Sequence, residues 1–381
     1  MHTMRKLSHA WYAAGVLLLA LLVAACGMPG TISSGGRLPR VSSTPATQPP
    51  LPPVRFPQDE APHHDLTEWW YYTGHLHGTD AQGHAHTYGF ELTFFQTLRG
   101  GFSPYYAAHY AVSDITGGGF HYDQRAAFEP ASVIPPEGST NGFSVSLGDW
   151  SAHGLNGHDQ LAAASADYAI ALNLTGTKPP ALHGGTGIIS YGSAGFSYYY
   201  SRTRMSVAGT LTDHNTPVTV TGQAWMDHQW GNFVSLTGSG WDWFSIQLDD
   251  KTDYMLYVIR DAQKQPISVF GTAIASDGTA SEIPSSAIDT QARSKWISPH
   301  TNGVYPSGWQ VTLPSQRLTL TLKPLLLDQE LVTAQSTGVA YWEGAVGVTG
   351  QRGGARVTGE GYVELTGYAT IPSSSQSAAV P

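Results

Sequence analysis

From near Pro62 to Tyr368 the chain reads as short alternating runs with turn signals between them, the signals being weaker over residues 107–200. Residues 68–77 and 87–98 flank Asp80-Ala81-Gln82-Gly83, and the second run puts Tyr88, Phe90, Leu92 and Phe94 on one face. Residues 199–211 and 218–225 flank Asp213-His214-Asn215, and residues 243–248 turn at Asp249-Asp250-Lys251 into residues 254–259. Only residues 282–294 and 324–332 read as at all helical. Residues 162–174 stay open, alanine-rich yet alternating at Tyr168-Ala169-Ile170-Ala171-Leu172. The count comes to about sixteen to twenty strands, too many for one small barrel. An all-β fold is expected, as two antiparallel barrels or sandwiches joined near residue 235.

The ends of the chain carry an address rather than a fold. Arg5 and Lys6 precede an apolar run over residues 10–22, and Val23-Ala24-Ala25-Cys26 has the form of a bacterial lipobox. Residues 1–25 are therefore expected to be a lipoprotein signal peptide, and Cys26 the lipidated mature N-terminus. Cys26 is the single cysteine, so no intramolecular disulfide can form. An ordinary signal peptide with an incidental cysteine is the alternative. Residues 26–57, rich in Pro, Ser and Thr, are expected to be a tether, and residues 372–381 an unstructured tail. The net charge is −9, or −11 once Arg5 and Lys6 leave with the signal peptide. Such an acidic body argues against nucleic acid as a partner. The expectation is an extracytoplasmic protein held to a bacterial membrane through Cys26, with barrel domains at 58–235 and 236–371.

Residues 222–244 concentrate the chemistry. They hold four of the eleven tryptophans, with Asp227, His228 and Asp242 among them. Strand alternation places Trp225, Asp227 and Gln229 on one face and Met226, His228 and Trp230 on the other. Trp241 and Trp243 lie opposite Asp242 and Phe244. An apolar wall raises a carboxyl pKa, and indole faces stabilise a cation. Asp227, His228 and Trp230 thus read as an acid in an aromatic pocket, or else as a tied turn, a satisfied histidine and core filling. Glu68 shares a face with Trp70 and Tyr72, as a base or hydrogen-bond anchor, or as the wet end of a core strand. Glu91 lies opposite the Tyr88–Phe94 face and points either into a lumen or to solvent. His75, His77, His84 and His86 could gather on one hairpin face and hold zinc or copper if His77 faces His84. The sequence lacks a Gly-x-Ser-x-Gly elbow, a His-Glu-x-x-His motif and a phosphate-binding glycine loop.

Taken together, several stretches resemble the lipocalin-like AttH family, which includes the carotenoid 1,2-hydratases (CrtC) and carries the label "predicted secreted hydrolase". They are residues 68–76 (Glu-Trp-Trp-Tyr-Tyr-Thr-Gly-His-Leu), 88–95, 199–205, 222–231 (Gly-Gln-Ala-Trp-Met-Asp-His-Gln-Trp-Gly), 241–244 and 361–368. The resemblance implies two lipocalin-like antiparallel β-barrel domains packed together, with a ligand site between or within them. It matches His228 and Trp230 to the hydratase imidazole and indole. The strand expected to carry the hydratase proton donor reads Tyr257-Val258-Ile259 here, without an acid, so Asp227 or Asp242 would have to supply the proton. On this reading the catalytic set is Asp227, His228, Trp230, Asp242 and Glu68, and the substrate-contacting set is Trp70, Tyr72, Glu91, Trp225, Trp241, Trp243 and Tyr257. The expected partner is a hydrophobic unsaturated small molecule, an isoprenoid, carotenoid or polyketide-like chain, hydrated without a cofactor. A non-catalytic carrier of lipid or pigment and a secreted hydrolase are the alternatives.

Overall fold

The computed structural model describes residues 51–99, 102–128, 136–191, 195–233 and 240–371. The expected signal peptide, Cys26, most of the expected tether and the expected 372–381 tail lie outside the described residues. Among the described residues there is no α-helix, only strands and short 3-10 turns. The first sheet is built from β1 (Thr67–Thr79), β2 (Ala85–Thr97), β3 (Tyr105–Asp114), β4 (Gly119–Ala127), β5 (Phe143–Leu147), β6 (Trp150–Leu155), β7 (His158–Ala164), β8 (Tyr168–Gly176), β9 (Ala181–Leu182), β10 (Ile188–Ser190), β11 (Phe196–Asp213) and β12 (Thr216–Gly231). The second is built from β13 (Gly240–Leu248), β14 (Asp253–Arg260), β15 (Pro266–Ile274), β16 (Ala280–Ile283), β17 (Asp289–Ile297), β18 (Val304–Leu313), β19 (Leu318–Pro324), β20 (Glu330–Val332), β21 (Ala340–Arg352) and β22 (Ala355–Thr366). Of the two stretches that looked helical, residues 282–294 form the end of β16, a short 3-10 turn and most of β17, and residues 324–332 form the end of β19, an irregular connection and β20. Residues 162–174 resolve as the β7–β8 hairpin.

Each sheet is antiparallel and curls into a nearly closed barrel. The order is β4-β3-β2-β1-β12-β11-β8-β7-β6-β5 in the first and β16-β15-β14-β13-β22-β21-β19-β18-β17 in the second. Closure hides strand edges that would otherwise pair with other chains. Each barrel encloses its own apolar filling. In the first this includes Trp70, Tyr72, Tyr88, Phe90, Leu92, Met226 and Trp230. In the second it includes Phe244, Ile246, Leu256, Trp309, Leu320 and Trp342. Residues 52–57, read above as tether, lie on the first barrel: Phe56 meets the Tyr200 ring edge-on at 4.9 Å, and Tyr198 Oη donates to the Pro52 carbonyl.

The outer faces of β1, β2, β11 and β12 are not wet. They pack against β13, β14, β21 and β22 of the second sheet in a third core of Tyr71, Tyr199, Trp225, Trp243, Met255, Tyr257, Ala345 and Tyr362. Polar clamps fix this seam. Asp253, fully buried, accepts from Lys178 Nζ at 2.7 Å and Arg204 at 2.6 Å, and Gln247 Nε2 donates to the Thr203 carbonyl at 2.7 Å. Gly89 allows a close approach. A Cβ there would lie 2.4 Å from Tyr362 Oη and 2.9 Å from the Ala345 Cβ.

Candidate functional site

β12 runs beside β1, with Asp227 opposite Tyr71 and His228 opposite Trp70. The alternation read from the sequence holds, and its consequence is a division. His228 and Trp230 point into the first barrel, whereas Trp225 and Asp227 point into the seam. The expected catalytic residues therefore fall into separate groups rather than one pocket.

Inside the first barrel, Glu68 is buried and fully used. Its Oε1 lies 2.9 Å from His63 Nδ1 and 2.8 Å from His228 Nε2. Its Oε2 accepts from the His63 backbone N–H and from Gln96 Nε2. Burial works to raise this carboxyl, but the hydrogen bonds from His228 and His63 outweigh it and hold it below the usual glutamate range. His63 loses basicity to burial and regains more from Asp59 and Glu68, ending at about 9. Burial holds His228 below the usual histidine range despite Glu68. Indoles frame the cluster: Trp230 stacks on His63 at 4.0 Å and Trp70 on His228 at 5.0 Å. Tyr72 lies deeper and donates to Asp159 at 2.8 Å. Beyond Trp70, a hollow lined by Phe94, Tyr106 and Val145 has room for about one water.

The seam has the opposite electrostatics. Asp227 accepts from Tyr199 Oη at 2.5 Å, from Trp225 Nε1 at 2.6 Å and from Ser201 Oγ. Burial nevertheless outweighs these donors and lifts its carboxyl to about 7. Glu91 is neither in the lumen nor in solvent, as the sequence reading had it. It faces the second sheet, accepts from Tyr341 Oη at 2.9 Å and Thr93 at 3.0 Å, and is raised by burial to about 7. Tyr71 Oη crosses the other way to Glu343 at 2.8 Å. Glu343 sits directly opposite Glu364 across the β21–β22 pair. Burial, then the charges of Glu91 and Glu364, push Glu343 well above the usual glutamate range. Glu364, part-exposed, accepts from Trp241 Nε1 at 2.8 Å and is lifted by burial to about 8. Asp227, Glu91, Glu343 and Glu364 thus share a dry region, and no Lys or Arg pairs with any of them among the described residues.

Three further seam features bear on chemistry. At its part-exposed margin, Trp241 and Tyr257 lie 6.3 Å apart by ring centroid and Tyr257 and Phe270 4.9 Å. Trp243 Nε1 donates to Tyr199 Oη at 2.9 Å, binding the second sheet to the partner of Asp227. Ser201 Oγ lies 2.6 Å from His183 Nε2, whose Nδ1 lies 2.8 Å from Thr272 Oγ1. This is a serine–histidine pair that the sequence did not disclose. Both residues are fully buried, and the serine proton is directed at Asp227.

Asp242 joins neither group. It lies on the inner side of β13 and pairs with Arg260 at 3.0 Å and Tyr368 Oη at 3.0 Å. The four hairpin histidines do not assemble either, because His77 faces Thr87 and Gly78 faces His86. His75 is buried against the Gly361 carbonyl, and His84 and His86 lie on Asp80. His63, His183, Ser201, Glu343 and Glu364 were missed. The alternation of Tyr362 and Glu364, with aromatic and acid on one face, was the available signal for the last.

A family model described as AttH-like matches residues 46–368. A candidate AttH protein from Nitrosomonas europaea superposes with a TM-score of 0.73 at 31% identity, over 84% of this chain and 98% of that one. Kievitone hydratase from Nectria haematococca has the same fold, with a TM-score of 0.65 at 18% identity over 84% of this chain and 94% of that one. CghA, solved with Sch210972, superposes with a TM-score of 0.52 at 12% identity, covering 80% and 89%. No curated protein matches the chain in sequence.

Proposed function

The chain belongs to the AttH-like family, and from that premise we propose that it binds a hydrophobic, unsaturated small molecule at the seam and adds water to it by acid catalysis. One observation carries the reading: Glu364 is part-exposed, bonded to Trp241, which leads on to Tyr257, and its carboxyl is held neutral to about 8. A general acid works best with a pKa near the operating pH, and this one is protonated at neutrality. Its proton would pass to an alkene carbon and leave a tertiary cation. The faces of Trp241 and Tyr257 would stabilise that cation by about 0.5–2 kcal/mol each. Water would then form the C–O bond and return a proton to the Glu364 carboxylate, so that no cofactor is consumed. Asp227 would hold the local charge balance. On taking up a proton it would donate to Ser201 Oγ, which now donates to it, and the serine proton would turn to His183 Nε2, 2.6 Å away. Kievitone hydratase, of the same fold, is by its name a hydratase, which supports hydration as the reaction class. The same reading holds the protein outside the cytoplasmic membrane through lipid on Cys26, near apolar substrates.

The test is product mass after incubation with isoprenoid and polyene substrates in H2(18)O. Labelled alcohol is expected from the wild type, with at least a hundredfold loss in Glu364→Gln. A panel that never yields a product heavier by one water, or full activity in Glu364→Gln, overturns the assignment.

A further inference from the structure

The ring nitrogens and carboxylate inside the first barrel have an arrangement that hydration at the seam does not use. His63 Nδ1, Glu68 Oε1 and His228 Nε2 all lie within 4.8 Å of one another and are buried. We propose that these three atoms form a transition-metal site, with Zn2+ the ion the donor set favours. Two imidazoles and one carboxylate are an established tetrahedral zinc set that leaves a fourth position for water.

The surroundings argue for a metal beyond the three ligands. A ligating histidine donates its other N–H to a carboxylate, a carbonyl or another oxygen, which fixes its tautomer and orients the ring. His63 Nε2 lies 3.6 Å from Asp59 Oδ1 and has no hydrogen-bond partner although it is buried. His228 Nδ1 lies 3.3 Å from Tyr200 Oη. Both free nitrogens thus face an oxygen. The second oxygen of Glu68 is fixed by the His63 N–H and Gln96 Nε2, which turns Oε1 towards the two rings. Trp230 and Trp70 stack on the rings from outside and lock their planes. A metal would replace the two N–H groups now directed at Oε1, leaving His63 protonated on Nε2 and His228 on Nδ1. The site stands on the opposite side of the sheet from Glu364 and does not depend on the hydratase reading.

The experiment uses the full chain stripped with a chelator and carrying His84→Ala and His86→Ala, which removes the two histidines that lie on Asp80. Titration with Co2+ is expected to give one ion per chain, with the intense visible bands of four- or five-coordinate cobalt, displaced by Zn2+. His63→Ala, in the segment before β1, is expected to lose these bands. Asp59→Asn, which leaves the ligands in place, is expected to weaken binding by about 10–100-fold. Each variant is checked by circular dichroism, and Asp59→Asn carries the test if His63→Ala is not folded. Absence of the visible bands in the stripped parent overturns the site. So does binding unchanged in both His63→Ala and Asp59→Asn.

Discussion

Replacing Asp227 by asparagine should remove a pH dependence of stability at the seam, of a size that follows from the burial of its carboxyl. In the unfolded chain this carboxyl titrates near its ordinary value, 3.8, and in the fold near 7. Below about pH 3 both states hold the proton and burial carries no ionic penalty. As pH rises towards 7 the folded state keeps a proton that the unfolded state has lost, so stability falls by about 1.4 kcal/mol per pH unit. Above 7 the loss levels off at about 4 kcal/mol. Asparagine does not titrate and removes this slope. Its carbonyl oxygen can still accept from Ser201 and Trp225, but its amide then confronts Tyr199 Oη, which already accepts from Trp243 Nε1. Turning that hydroxyl away costs about 1–3 kcal/mol at any pH. The variant should therefore lie within about 1 kcal/mol of wild type at pH 5 and be stronger by about 1–3 kcal/mol at pH 8. Urea unfolding followed by tryptophan fluorescence at pH 5, 6, 7 and 8 measures both curves. Parallel curves would show that Asp227 is ionised throughout and would refute the neutral-acid account of the seam.

Two structural substitutions probe how the sheets are held together. Gly89→Ala should lower stability by about 1–3 kcal/mol, because the new Cβ meets Tyr362 Oη and Ala345; adding Tyr362→Phe should recover part of the loss in denaturant midpoint. Lys178→Met should cost about 3 kcal/mol by leaving buried Asp253 with Arg204 as its remaining cation. Combining it with Asp253→Asn should cost less than the sum of the two single changes, read from the same unfolding curves.

The period-two reading placed Asp227 and His228 on opposite faces of one strand, which is what the fold shows. It did not say that both faces would be dry. That information was present in Trp69-Trp70-Tyr71-Tyr72, where consecutive rather than alternate residues are large and aromatic. A strand buried on both faces needs apolar residues at both parities. Glu91 was misread for this reason: lumen and solvent were weighed, and a second sheet lying on the outer face was not. Glu343 and Glu364 were out of reach for another reason: they lie on β21 and β22, and only the docking of the sheets brings them towards Asp227. Ser201 stands opposite Asp227 in the β11–β12 pair, where the register shift after Arg202 hides the pairing from the sequence, and His183 reaches it from beside β9, which pairs with β11. His63 stands in an irregular segment before β1, where no periodicity marks it.

The division of the Asp-His-x-Trp stretch across its strand also decides which residues can share a reaction. Acid and base assignments follow from environments that push titratable groups apart, and this chain does so strongly. Glu68 is held ionised by two imidazoles, whereas Asp227 is held towards neutrality among indoles and phenols. Yet a sheet separates them, and one substrate atom cannot meet both. Chemistry at the seam must therefore find its acid and its proton acceptor among Glu364, Asp227, Glu91 and Glu343. Like charges opposite one another in a pair of strands are unfavourable, so Glu343 and Glu364 resist ionising together. That repulsion keeps a proton available where Trp241 and Tyr257 could receive a cation. His228 and Trp230, facing inward, are left to shape the barrel wall beneath Asp227 and to hold whatever binds Glu68.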